Sequence, residues 1–81
     1  MKETILKLFN SVFVEFGFGD EAPTMNDDTK LLDSGMDSMG FAILVSTLES
    51  ELGFDPFSIV EVPVYPVTFG EFVNFYETNK P

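Results

Sequence analysis

The chain reads as an all-α protein: a small four-helix bundle of three longer helices and one short helix, with a long first loop. Three observations lead there. Apolar residues recur at helical spacing in three separate stretches. Capping and stop residues bracket those stretches. The one Val- and Ile-rich run with strand character, Ile59–Val67, carries Pro63 and Pro66, and proline is confined to the edges and ends of sheets. At 81 residues there is room for one core, so the reading is a single domain over residues 1–81.

The first helix is expected from about Glu3 to Phe16. Ile5, Leu8, Phe9, Val12, Phe13 and Phe16 fall on one stripe, and Lys2, Lys7 and Glu15 sit on the wet side. Gly17 and Gly19 end it. From Gly17 to Asp37 the chain is rich in loop residues, among them Pro23, Asn26, Asp27, Asp28 and Gly35. A loop this long in a compact domain is often functional. Leu31-Leu32 is its one obvious anchor, and the pair is expected to tether it to the core.

The second helix starts near Asp37-Ser38 and runs to about Leu52. Phe41, Leu44, Val45, Leu48 and Leu52 form its stripe, Asp37 is its N-cap and Gly53 its stop. Gly40 near its start weakens it. Asp55-Pro56 reads as cap plus first helical position, opening one short turn through Phe57, Ile59 and Val60. Thr68-Phe69-Gly70-Glu71 is a capping-box pattern and opens the last helix. Its stripe is Phe69, Phe72, Val73 and Tyr76, and it frays by Asn79-Lys80-Pro81.

The composition excludes several functions. Four Lys, no Arg and fourteen acidic residues give a net charge of −10, so clustered cations for nucleic acid or for an anionic membrane surface are missing. A partner with a basic patch is favoured. With no Cys there is no disulfide, no thiolate nucleophile and no Cys-based zinc site. With no His there is no Ser-His triad and no imidazole acid or base. Met1–Ile5 lacks the apolar run of a signal peptide, and no stretch is long and apolar enough for a membrane span. The expectation is a cytoplasmic, monomeric, non-catalytic domain.

The acidic residues do not spell out other chemistry. Asp27, Asp28, Asp33 and Asp37 share a loop, but the EF-hand spacing fails, since Leu32 stands where glycine is required. No metal site is expected. A glycosidase carboxylate pair needs a substrate cleft that a bundle this small hardly offers. No Lys stands three residues after a Ser, so a Ser-Lys nucleophile is missing as well.

Ser38 remains. It follows a long loop and Asp37 at the start of a helix, where free N–H groups and the macrodipole stabilise negative charge. On local physics alone an ordinary first-turn or N-cap serine is the better description. The run from Asp27 to Met39, with Gly35-Met36-Asp37-Ser38-Met39 at its end, resembles the acyl carrier and peptidyl carrier family, in which a Gly-x-Asp-Ser-Leu motif opens the second helix. The order of elements resembles that family over essentially the whole chain.

The resemblance implies an acyl-carrier-like bundle whose Ser38 carries a 4′-phosphopantetheine arm donated by coenzyme A. Acyl or aminoacyl groups would ride on the arm's thiol as thioesters. Asp37 would help position Ser38 and meet the phosphopantetheinyl transferase. The other implied partners are loading and acyl-transferring enzymes with basic or apolar docking patches. The absence of Cys suits a thioester carrier, since no protein thiol competes for the cargo.

The sequence departs from the family in two places. Met39 replaces the usual Leu, and Gly40 and Ile43 take positions that are often acidic, leaving Glu49 and Glu51 further along. The Glu61–Pro66 run is apolar where relatives are often acidic. Both departures point to a specialised lipid, polyketide or secondary-metabolite pathway, with Met39 and Ile43 as a docking patch beside the arm. The rival reading of Ile43 is a core residue. The rival reading of the whole chain is an unmodified acidic adaptor that binds a basic partner directly.

Overall fold

The computed structural model describes every residue from Met1 to Pro81. Four helices follow one another: α1 over Lys2–Glu15, α2 over Ser38–Leu52, α3 over Pro56–Ile59 and α4 over Phe69–Thr78. A 3-10 turn, Leu31–Ser34, interrupts the first loop. There is no strand, so the Ile59–Val67 run takes the non-sheet alternative. Beyond α3 it continues as an extended strap in which residues 61–66 make no backbone hydrogen bond.

The stop and cap signals act as their chemistry requires. Asp37 accepts from Gly40 N–H at 2.9 Å at the start of α2, and Gly53 closes that helix in the left-handed region with φ 85°. Asp55 accepts from Phe57 N–H at 2.9 Å and from Ser58 O–H at 2.9 Å, which caps the single turn of α3. Thr68 accepts from Glu71 N–H at 3.1 Å and opens α4. The reciprocal half of the capping box differs from expectation. The Glu71 carboxylate accepts from the Thr68 hydroxyl at 3.3 Å rather than from a backbone N–H.

The core is largely aromatic. Phe9 of α1 lies 6.2 Å from Phe41 of α2, ring centre to ring centre, and Phe41 lies 6.4 Å from Phe72 of α4. Phe72 meets Phe57 of α3 at 6.3 Å, and Phe57 meets Phe75 at 4.7 Å. One chain of rings therefore joins all four helices. Offset and edge contacts of this kind add about 0.5–1.5 kcal/mol per pair beyond area burial.

Two stripe assignments are corrected. Phe16 is 54% exposed, because α1 ends at Glu15 and the chain turns away before Phe16 reaches the core. Phe75, off the expected α4 stripe, is buried against Phe57, since α3 packs over that side of α4. The loop anchor is corrected too. Leu31 is buried, but Leu32 is 82% exposed.

What holds the loop is mostly backbone pairing with the approach to α4. Leu31 N–H donates to Val67 C=O at 2.9 Å, Phe69 N–H to Thr29 C=O at 2.8 Å, and Gly70 N–H to Asp27 C=O at 3.0 Å. Lys30 and Thr68 form an isolated antiparallel bridge there. Met25 and Met36 plug the loop into the core from either side of that bridge.

Candidate functional site

The five residues from Gly35 to Met39 each have a distinct physical task. Gly35 ends the 3-10 turn with φ 94°, a conformation that costs a side chain about 1 kcal/mol or more. That turn drops Met36 into the core, where it is 2% exposed. Asp37 is extended and supplies the helix cap. Ser38 is then the first residue of α2 and is exposed. Since Asp37 does the capping, the Ser38 hydroxyl is free of that role. Met39, the next residue, is 70% exposed.

Ser34, four residues earlier, is a different kind of serine. It is buried, its hydroxyl donates to Leu31 C=O at 2.6 Å, and it accepts from Met36 N–H at 3.3 Å. It fastens the motif from below and is closed to a reagent.

Gly40 is buried beneath the motif. A Cβ there would come within 2.7 Å of the Phe18 ring and would overlap Met36 Cγ. This close approach accounts for a weak helix former at that position, a role that the sequence alone did not disclose.

A groove of about 850 Å³ begins at Ser38. One side is α2 itself, through Ser38, Ala42, Val45, Ser46 and Glu49. These positions share a face, because steps of three, four, seven, eight and eleven residues return to one side of a helix. Opposite stand Val64, Tyr65, Pro66 and Val67 of the strap, and Phe41, Phe57 and Phe72 contribute rings. Asp55 lies in the lining as well, and Lys30 is its one cation.

The remaining expected site residues divide. Ile43 is half-buried and packs on the core, so only Met39 of that pair is fully available. Glu49 and Glu51 are both exposed, but Glu49 lines the groove and Glu51 does not. The loop aspartates do not gather into a group of three or more that could hold a metal; Asp27 instead pairs with Lys2 at 2.7 Å.

Behind the groove wall lies a residue that the sequence reading took only as core. Tyr76 is fully buried, its ring 5.1 Å from Phe72 and 6.2 Å from Phe57, and its hydroxyl has no hydrogen-bond partner in the protein. Burial raises its phenol well above the usual tyrosine range, and the nearby charges of Asp55 and Glu49 push it further the same way. An unpaired hydroxyl in an apolar helix stripe has no sequence signal.

A family model described as phosphopantetheine attachment site matches residues 14–60, more than half of the chain. The matched stretch contains the loop, the Gly35–Met39 motif, α2 and α3. No curated protein and no solved structure matches the chain.

Proposed function

The chain belongs to the phosphopantetheine attachment-site family and carries that group covalently, and from this premise we propose that Ser38 is the attachment residue of a dedicated acyl or aminoacyl carrier. The observation that carries the assignment is the contrast between Ser38 of the motif and Ser34 just before it. Ser38 is exposed and free of capping duty, whereas Ser34 is buried and doubly hydrogen-bonded.

The residues present fit the group. Its phosphodiester is an anion, and Ser38 opens a 15-residue helix whose first N–H groups favour negative charge. When bound, the group supplies a flexible tether ending in a thiol, on which cargo is held as a thioester. The chain's own part is to present the Ser38 oxygen, to hold it at a rigid helix start through the Asp37 cap, and to offer the groove beside it. With no His in the chain, the proton on the Ser38 oxygen is taken by the transferase. Loading and transfer chemistry likewise belong to partner enzymes.

The groove lies between α2 and the strap, so cargo can be covered without parting the aromatic core. The strap's exposed Tyr65, with Met39, gives partners an apolar surface beside Ser38, and Asp37, Glu49 and Glu51 give them charge. Such a mixed surface suits few partners in a specialised pathway rather than many.

Intact-mass analysis after incubation with coenzyme A and a broad-specificity phosphopantetheinyl transferase tests the assignment. The wild-type chain and Ser34→Ala gain the mass of one arm, and Ser38→Ala gains none. An arm on the Ser38→Ala variant would move the site elsewhere. No gain on the wild type would leave the unmodified acidic adaptor as the better reading.

A further inference from the structure

The phosphodiester that Ser38 would carry is an anion, and its setting in the chain is acidic. Asp37 precedes Ser38 directly, and the molecule already holds a net charge of −10. The N-terminus of α2 offsets part of that repulsion. One of its free donors, Gly40 N–H, is already bonded to Asp37, however. A cation from this chain therefore has a task beside Ser38.

Four lysines are available for it. Lys2 is paired with Asp27 at 2.7 Å. Lys7 and Lys80 lie outside the groove, and Lys30 alone lines it together with Ser38. Lys30 also has no carboxylate within salt-bridge distance, although the chain carries fourteen acidic residues. Its backbone is held by the bridge to Thr68, by Asp33 N–H on its C=O at 3.0 Å and by the buried Leu31 that follows it. Its side chain is exposed and takes no part in capping the 3-10 turn. The residue thus combines a fixed root with an uncommitted ammonium in the groove of the attachment serine.

We propose that Lys30 positions the arm, its ammonium serving as counter-charge to the phosphodiester on Ser38. This rests on the reading of Ser38 as the arm-bearing residue. The pair draws the start of the arm to the groove side of α2 and away from Met39, which is exposed and outside the lining. A lysine ammonium is a point charge on a flexible stem rather than a rigid fork. It therefore directs the arm without locking it, and salt weakens its hold.

The test compares each protein without and with the arm, both forms confirmed by intact mass. The proteins are the wild type, Lys30→Gln, Lys30→Arg and Lys7→Gln. Lys7→Gln removes the same charge from an exposed position on α1, outside the groove. Melting is followed by circular dichroism, and the phosphodiester by phosphorus NMR, in about 20 mM salt, where screening is weak.

The change in melting temperature on attaching the arm is expected to be about 1–4 °C more favourable in the wild type than in Lys30→Gln. Lys30→Arg should keep that advantage, and so should Lys7→Gln. The advantage should vanish in about 1 M salt, where the screening length is only about 3 Å. The phosphorus resonance should move in Lys30→Gln and stay in place in Lys7→Gln. An equal effect of the arm in the wild type and Lys30→Gln, or an unmoved resonance, overturns the pairing. A loss as large in Lys7→Gln as in Lys30→Gln overturns it too, since net charge alone would then be at work. Each of these leaves the carrier reading standing. Failure of the wild type to gain the arm, read by mass before any melting, overturns the carrier reading itself.

Discussion

Ser38 and Ser34 are four residues apart in one motif, yet one faces solvent and the other is fastened into the fold. The difference comes from Gly35, whose left-handed turn separates the two environments. Tyr76 shows the same sensitivity to place. Its unpaired buried hydroxyl costs stability, on the order of 1–3 kcal/mol for such a group. Tyr76→Phe should therefore raise the urea midpoint at pH 7, by the equivalent of about 1 kcal/mol. It should also change the alkaline limb. Because the folded phenol is raised above its unfolded value, the unfolded chain loses this proton first. The stability tied to Tyr76 is whole below about pH 10 and falls as pH rises beyond it, by up to about 1.4 kcal/mol per pH unit. Urea midpoints at pH 7 and at about pH 11 should diverge between wild type and variant, the wild type losing more. Parallel losses would mean that Tyr76 ionises freely in the folded chain.

At the scale of the element, α2 carries the site on one face and the core on another, and its edge residues decide where one ends. Met39 is exposed and Ile43 is half-buried against the core, though the two stand four residues apart. Met39→Glu is expected to leave the melting temperature within about 2 °C of wild type, as surface substitutions usually do. Ile43→Glu should lower it by about 4–8 °C, corresponding to roughly 1 kcal/mol in a domain of this size. If both variants melt like wild type, Ile43 is a surface residue and the docking patch extends to it. If both fall, Met39 has a packing role that its exposure does not reveal. The strap between α3 and α4 obeys another rule. Its two prolines and the lack of backbone bonds over residues 61–66 leave its backbone bonded only at its ends, by Val60 N–H on Pro56 C=O and by Leu31 N–H on Val67 C=O.

For the whole molecule the dominant feature is charge. Ten net negative charges sit on a body with a radius of gyration of 11.9 Å, and the single ion pair, Lys2 with Asp27, is exposed and worth little. Raising salt from about 0.01 M to 0.1 M shortens the screening length from roughly 30 Å to 10 Å, which relieves the mutual repulsion. The melting temperature should rise between those two concentrations. A flat or falling value would show that local pairing outweighs net repulsion. No helix is long and apolar enough to cross a membrane.

The helices and their limits were legible in the chain, because caps, stops and apolar periodicity are local chemistry. Asp37, Gly53, Asp55-Pro56 and Thr68 each act within a few residues of where they stand. The Gly35–Met39 motif was legible through its resemblance to a family, since local chemistry alone describes Ser38 as an ordinary first-turn serine. Tertiary structure decided what depends on partners distant in the chain. Lys30 pairs with Thr68 across 38 residues, and that bridge holds the loop together with Leu31, which is in the core, while Leu32 is not. Gly40 makes room for Phe18, Phe75 is buried by α3, and Tyr76 ends without a hydrogen-bond partner. The groove also belongs to this second group, since its walls come from α2 and from a strap that no helical period describes. Periodicity specifies which face of a helix is apolar; only packing specifies what that face meets and where a space is left beside it.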